Sequence, residues 1–295
     1  MTSNARVAFV GLGNMGAPMA RNLAVSGIAV SAFDLSASAR DAAEGVAVAA
    51  SLREALEGAG TLITMLPQGR HVVSVLAEAL AHLPSGVCHI DCSTIDMASA
   101  RQLHAGARER GLLSVDAPVS GGTGGAQAAT LTFMAGGSPE AMAHARPLLE
   151  RMGKRVVHCG EGGAGQAAKI CNNMILGATM VATCEAFVLA ERLGLDAQAF
   201  YDIASVSSGQ SWSMTSYCPV PGVGPVTPAD HDYRGGFATA LMLKDLRLAT
   251  EAAAAAGSPV PMGDRARDLY EALAAAGEGD RDFSAMRPFL RDGRQ

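Results

Sequence analysis

The chain has 295 residues, 49% of them hydrophobic, with 23 basic against 28 acidic side chains and a net charge of −5. That length suits two domains with separate cores, and an acidic balance without a basic block argues against nucleic acid as a partner. The N-terminus "MTSNARVAFVGLG" enters a strand with no basic leader, and no uninterrupted apolar run reaches the ~18–20 residues that span a bilayer. A cytoplasmic protein with no membrane partner is therefore expected.

Residues 6–160 repeat a strand-then-helix rhythm. The strand-like runs are 6–10, 28–33, 61–66, 87–92, 112–119, 130–135 and 155–159. Between them lie the helical patterns Met15–Val25, Leu52–Gly58, His71–His82, Met97–Arg110 and Pro139–Met152. Short apolar strands alternating with amphipathic helices predict a mostly parallel sheet covered on both faces. At "GEGGAG" (160–165) the strands stop, so a domain boundary is placed there, with domains 1–162 and 163–295. The second half opens on a long helix from about Gln166 to Leu193, with Gly194 as its stop, and then reads as helix or loop throughout. An open parallel sheet joined to a helical domain offers a crevice at the carboxyl ends of its strands. The six cysteines form no C-x-x-C pair, and several lie in apolar runs, so reduced thiols and no metal site are expected.

The first motif is Gly11-x-Gly13-x-x-Gly16, placed between a strand and a helix as a dinucleotide fingerprint requires. Gly11 permits the tight turn, Gly13 the approach of a pyrophosphate, and Gly16 close packing of helix on strand. Leu12, Asn14 and Met15 complete the candidate cradle at a helix N-terminus, where free N–H groups favour phosphate. Asp34 ends the second strand, 34 − 16 = 18 residues past the third glycine. A carboxylate there accepts from both ribose hydroxyls and repels a 2′-phosphate, and no Arg follows before Arg40, so NAD is favoured over NADP. Leu66 and Pro67, in "MLPQGRHV", are apolar enough to cover a ribose, and Thr94, in "DCSTID", is placed to bond near a nicotinamide. Both segments read equally well as ordinary strand-to-helix turns, with Ser93 or Thr94 as an N-cap.

Oxidation of an alcohol also needs a base and a substrate anchor. Ser120, Gly121 and Gly122 leave a strand and form either a carboxylate nest or a flexible turn. Lys169 and Asn173, four apart, share one face of the long helix, with Asn172 beside them. The helix macrodipole and partial burial both disfavour an ammonium there, which suits a proton-exchanging lysine; a snorkelling lysine with capping amides fits the residues equally well.

Taken together, "FVGLGNMGAPMARNL", "DAPVSGGTGGAQAATLTFMAGG", "GGAGQAAKICNNM" and "LMLKDLRLA" resemble the β-hydroxyacid dehydrogenase family over nearly the whole chain. The resemblance implies an α/β Rossmann-like N-terminal domain and an all-α C-terminal domain of the 6-phosphogluconate-dehydrogenase-like kind, linked by a long helix. It implies that Lys169 is catalytic, that Asn173 holds the substrate, and that Ser120, Gly121 and Gly122 bind its carboxylate. Asp245 would contribute from the far side, Lys244 would lie near nicotinamide or substrate, and His71 would contact the cofactor. Trp212 and Tyr217 are candidates for shaping the substrate pocket, although a solitary Trp also suits a core. The implied reaction is oxidation of 3-hydroxyisobutyrate to methylmalonate semialdehyde with NAD⁺, a step of valine catabolism, in a homodimer or homotetramer formed through the helical domain. An L-serine dehydrogenase or a tartronate semialdehyde reductase would use the same anchor and lysine. A non-catalytic NAD-binding module would tolerate loss of Lys169, Asn173 and Ser120, yet all three are present.

Overall fold

The structure is a computed structural model and describes residues 6–293. Its chain divides into two compact units between Lys169 and Ile170.

Among the described residues the first unit has nine strands: β1 (Arg6–Val10), β2 (Val30–Phe33), β3 (Ala47–Val48), β4 (Ala59–Thr64), β5 (Cys88–Asp91), β6 (Leu113–Asp116), β7 (Val119–Ser120), β8 (Leu131–Gly136) and β9 (Gly153–Gly160). Seven helices punctuate them: α1 (Gly16–Val25), α2 (Ala37–Asp41), α3 (Leu52–Leu56), α4 (Gly69–Ala79), α5 (Met97–Glu109), α6 (Gly122–Gln127) and α7 (Pro139–Met152). Strands β3-β2-β1-β4-β5-β6 run parallel in that spatial order, the Rossmann arrangement with its switch point between β1 and β4. Beyond β6 the sheet reverses: β8 lies antiparallel to β6 and to β7, and β9 runs parallel to β8.

The run 112–119, expected as one strand, is two. Pro118 has no N–H to give a ladder, so the chain breaks after β6 and β7 turns onto β8, where Pro118 O accepts from Met134 N at 3.0 Å. The short elements β3, α2 and α6 went unread because two to six residues carry too little periodicity.

Along β1 the side chains alternate between two cores. Val7 and Phe9 join Met19 and Leu23 of α1 and Leu148 and Leu149 of α7 on one face. Ala8 and Val10 join Leu52 of α3, Leu76 of α4 and Leu103 of α5 on the other. With both faces covered, the sheet can be apolar throughout, and its carboxyl ends are where polar residues collect.

The helical remainder comprises α8 (Ala164–Arg192), α9 (Ala197–Ala204), α10 (Trp212–Thr215), α11 (Thr239–Ala256), α12 (Pro261–Leu273) and α13 (Met286–Arg291), with 3₁₀ turns at Pro228–His231 and Phe283–Ala285. Helix α8 stops where expected: Gly194 has φ 78°, and the Leu195 N–H reaches back to Ala190 O at 2.9 Å. Its Met180, Val181, Cys184 and Val188 pack with Met242 and Leu246 of α11 and Leu269 and Tyr270 of α12. By length and mean hydropathy alone α8 could cross a membrane, but half of its most apolar stretch is buried inside the protein, as in a core helix.

Candidate active site

The glycine loop has the geometry that its sequence asks for. Gly11 has φ +103°, and a Cβ there would overlap the Met65 carbonyl oxygen, so the crossing of β1 past the end of β4 requires glycine. A Cβ on Gly16 would overlap the Gly11 carbonyl oxygen and lie 3.2 Å from Phe9. Gly13 is different: it is exposed, with nothing within 4 Å of where a Cβ would stand, which leaves the backbone open to a phosphate. Helix α1 follows Met15 with no side-chain cap; Ala17 N donates to Gly13 O at 3.1 Å and Pro18 has no N–H, so an anion would be met by the loop and the helix start ahead of them. Asn14 is exposed and Leu12 buried.

Asp34 closes this loop from β2. Its carboxylate accepts from Leu12 N at 2.7 Å and from Ser36 N at 2.8 Å. Arg40 does come near, donating to the Asp34 carbonyl at 2.6 Å, but it meets the backbone and the face of Phe33 rather than the carboxylate. These residues fit a dinucleotide: an uncapped helix start, a glycine open to pyrophosphate and a carboxylate at the end of the second strand. Leu66 is half-buried and Pro67 exposed at the exit of β4, while His71, half-buried on α4, accepts from Arg70 at 3.4 Å.

Beneath the loops after β4 and β5 lies a buried polar cluster. Thr64 Oγ1 donates to Asp91 Oδ1 at 2.8 Å and lies 3.1 Å from His89 Nε2, so the ring N–H must be on Nε2. Ser93 Oγ donates to Asp91 Oδ1 at 2.6 Å and accepts from Leu66 N at 2.8 Å. Ser93 thus ties the two loops together, whereas the N-cap of α5 is Asp96, which accepts from Ser99 N. His89 Nδ1 and Asp91 Oδ2 have no hydrogen-bond partner among the described residues. Burial, and secondarily repulsion from His104, hold the His89 pKa down to about 3. Burial pushes Asp91 up to about 6 against the hydrogen bonds from Ser93 and Thr64.

The two shifts have opposite consequences for stability. A histidine with a depressed folded pKa contributes stability present above its unfolded pKa and lost as pH falls toward 3; Asp91, with a raised one, contributes stability lost as pH rises through 6. Between pH 4 and 6 they oppose each other, and below 4 His89 acts alone. The variant His89→Gln removes only the first. It should lose on the order of 3 kcal/mol less than the parent between pH 7 and 3.5, read from urea midpoints at both pH values.

The opening of α8, Ala164–Lys169, belongs with this unit. Asp116, at the end of β6, accepts from Gly163 N and Gln166 N, both at 2.7 Å, and from His104 Nε2 at 2.9 Å. A carboxylate therefore answers the positive end of the α8 dipole, a feature not read from the sequence. Gln166 is wholly buried, with its amide bonded to Ser93 O and Ile95 N. One turn on, Lys169 is 8% exposed. Ser120 is half-buried at the end of β7, and Gly121 (φ 134°) and Gly122 (φ 61°) are exposed in conformations that only glycine adopts easily.

Farther along α8, Asn173 is 2% exposed and its Nδ2 donates to Asp245 Oδ2 at 2.5 Å. Since a carboxylate only accepts, the Asn173 amide orientation is fixed; its Oδ1 accepts from the exposed Asn172 at 2.9 Å. Asn172 thus gains a partner that sequence alone did not supply. Lys244 Nζ stands 3.7 Å from Asp245 Oδ1, at the side of the carboxylate away from Asn173. Trp212 is 52% exposed and stacks on Tyr217 with ring centroids 4.9 Å apart. The Tyr217 hydroxyl donates to Asp282 at 2.9 Å, and burial pushes its pKa up.

Two family models match the chain: one described as the NAD binding domain of 6-phosphogluconate dehydrogenase, over residues 6–160, and one as the NAD-binding of NADP-dependent 3-hydroxyisobutyrate dehydrogenase, over residues 163–290. The chain is 50% identical over 287 residues to a probable 3-hydroxyisobutyrate dehydrogenase of Mycobacterium bovis, with 97% of each covered. It is 49% identical over 286 residues to an NAD-dependent L-serine dehydrogenase of Pseudomonas aeruginosa, covering 95% of this chain and 96% of that protein. A solved structure of Mycobacterium tuberculosis 3-hydroxyisobutyrate dehydrogenase with L-serine matches at a TM-score of 0.93 and 49% identity, over 97% of this chain and 99% of that one.

Proposed function

The chain belongs to the β-hydroxyacid dehydrogenase family, NAD(P)-dependent oxidoreductases, and from that premise we propose that it oxidises 3-hydroxyisobutyrate to methylmalonate semialdehyde with NAD⁺. The observation that carries the chemistry is the burial of Lys169, on a helix whose sequence four residues later supplies a buried amide, Asn173, of fixed orientation. Bound NAD⁺ supplies the hydride acceptor.

Lys169, as the neutral amine, takes the proton from the substrate hydroxyl, and in the reverse direction its ammonium returns it. Asn173 has one Nδ2 hydrogen committed to Asp245 and offers the other to the substrate. Ser120, Gly121 and Gly122 receive the carboxylate through a hydroxyl and unobstructed backbone N–H groups. Asp34 sets the preference for NAD by accepting from the ribose hydroxyls and repelling a 2′-phosphate. Leu66, Pro67 and Thr94 line the cofactor, and Trp212 and Tyr217 shape the pocket around C2. The same reading includes assembly as a homodimer or homotetramer through the helical unit, supported by exposed Ile175, Leu189, Leu193 and Ile203.

A second substrate, L-serine, has specific support in the Pseudomonas aeruginosa relative. It shares the carboxylate and primary alcohol and places an ammonium where 3-hydroxyisobutyrate has a methyl. Initial rates with NAD⁺ and NADP⁺ against 3-hydroxyisobutyrate, L-serine, D-glycerate and 3-hydroxypropionate separate the two. The expected result is a kcat/KM for 3-hydroxyisobutyrate roughly tenfold or more above that for L-serine, the discrimination that one apolar group provides. A preference for L-serine would transfer the assignment, and turnover of none of the four would remove it.

A further inference from the structure

Gln166 is a buried polar side chain that the proposed chemistry does not use. It is 0% exposed, and both ends of its amide are engaged. Nε2 donates to Ser93 O at 2.7 Å, and Oε1 accepts from Ile95 N at 3.1 Å. Those are the carbonyl immediately before Thr94 and the N–H immediately after it, so one amide brackets a single residue of the loop that follows β5. A carbonyl can only accept and an N–H can only donate, which leaves the amide one orientation.

The bracket extends in both directions. Through its own backbone N–H, Gln166 is held by Asp116 at 2.7 Å, on the turn of α8 that leads to Lys169. Through Ser93 it reaches the loop after β4, because Ser93 Oγ accepts from Leu66 N. Three segments to which the proposed function gives cofactor or proton-transfer roles are thereby joined through the side chains of Gln166 and Ser93.

We propose that Gln166 is a positioning residue: it fixes the Thr94 loop to the helix that carries Lys169, and so sets the nicotinamide-side wall of the cofactor site. This rests on the reading of Thr94 as a cofactor contact, but not on which 3-hydroxy acid is oxidised.

The test exploits the donor that Gln has and an ionised Glu lacks. In Gln166→Glu, a protonated carboxyl reproduces both bonds, donating to Ser93 O and accepting from Ile95 N. Once ionised, it sets an oxygen against the Ser93 carbonyl. NADH affinity of this variant, followed by fluorescence titration from pH 5 to 9, should match the parent at the acid end. Relative to the parent at each pH, it should then weaken by roughly tenfold as the buried carboxyl ionises; the parent series accounts for the buried Asp91, pushed up to about 6 and bonded by Ser93 in the same cluster. Gln166→Met, similar in size and without either bond, should bind NADH roughly tenfold more weakly at every pH. In Gln166→Met, which has no acceptor for it, the Ile95 amide should exchange with solvent faster than in the parent.

Parent-like NADH affinity for folded Gln166→Glu across the whole range would overturn the proposal. The parent itself supplies an arm that no folding defect can spoil. Saturation with NADH should shift the NMR signals of the Gln166 side-chain amide and of Ile95 N–H together, and immobility of both would also overturn it. Because these readouts need no substrate, they stand whatever the rate comparison of 3-hydroxyisobutyrate with L-serine shows.

Discussion

Lys169→Ala should lower kcat by about 10²–10⁴-fold, the usual contribution of a positioned acid–base group, while the Kd for NADH stays within about threefold of the parent. The separation follows from where the groups lie. The cradle for the dinucleotide is Gly11–Gly16 with Asp34, and Lys169 belongs to a different element, on the second turn of α8. Lys169 as a residue is only 8% exposed, so bulk water is poorly placed to take the proton in its stead. Lys169→Arg should fail almost as badly, since a guanidinium keeps its proton throughout the working range. Added methylamine should restore part of the rate to the alanine variant, because the truncated side chain leaves room for a small amine. Stopped-flow single turnovers and NADH titration measure both quantities on one preparation. A kcat within tenfold of the parent would take the proton-transfer role away from this residue.

The second large effect is structural. Gly165→Ala should destabilise the first unit by about 2–4 kcal/mol, lowering the Tm by about 5–10 °C. A Cβ at this position would overlap the Met134 carbonyl oxygen and stand 2.6 Å from Asp116 O and 2.9 Å from Asp116 Oδ2. Two of these atoms are strand backbone, and the third belongs to a carboxylate whose Oδ2 is held by Gln166 N and whose Oδ1 is held by Gly163 N, so none can yield cheaply. The helix start must back away instead, which stretches the bonds to Asp116 and moves the turn that carries Lys169. A fall in kcat beyond what the stability loss explains is therefore expected, from the same displacement. Gly106→Ala is the control. It lies inside α5 with nothing within 4 Å of a new Cβ, and should be neutral or stabilising by about 0.5–1 kcal/mol. Equal melting temperatures for the two variants would contradict the packing account of Gly165.

Much of the fold can be read from the chain because its signals are local. The alternation of Val7 and Phe9 against Ala8 and Val10, or the 3.6-residue stripe of α5, is written within a dozen residues. The glycine loop is legible for the same reason, as each glycine answers to a neighbour close in sequence or to a backbone crossing that every such motif makes. What escaped is nonlocal. Asp116 lies 47 residues from Gly163, Gln166 lies 73 from Ser93, and Asn173 lies 72 from Asp245. No periodicity encodes such pairings. One clue was available in "CHID": two polar residues, His89 and Asp91, share one face of a strand that is otherwise apolar, and buried polar groups in such a place need partners.

The order of strands has a consequence for how the protein is made. Of the described strands β1 is the earliest to be synthesised, and it ends up between β2 and β4, so the centre of this sheet precedes its flanks. Growth proceeds first to one side, through β2 and β3, and then to the other, through β4, β5 and β6. Each of these later strands finds its neighbour already outside the ribosome. Strand β7 is the exception: its partner β8 is made after it, and it must wait with an unpaired edge through the span of α6. A pause in translation after Ser120 has left the exit tunnel, but before Leu131 has, would prolong that exposure.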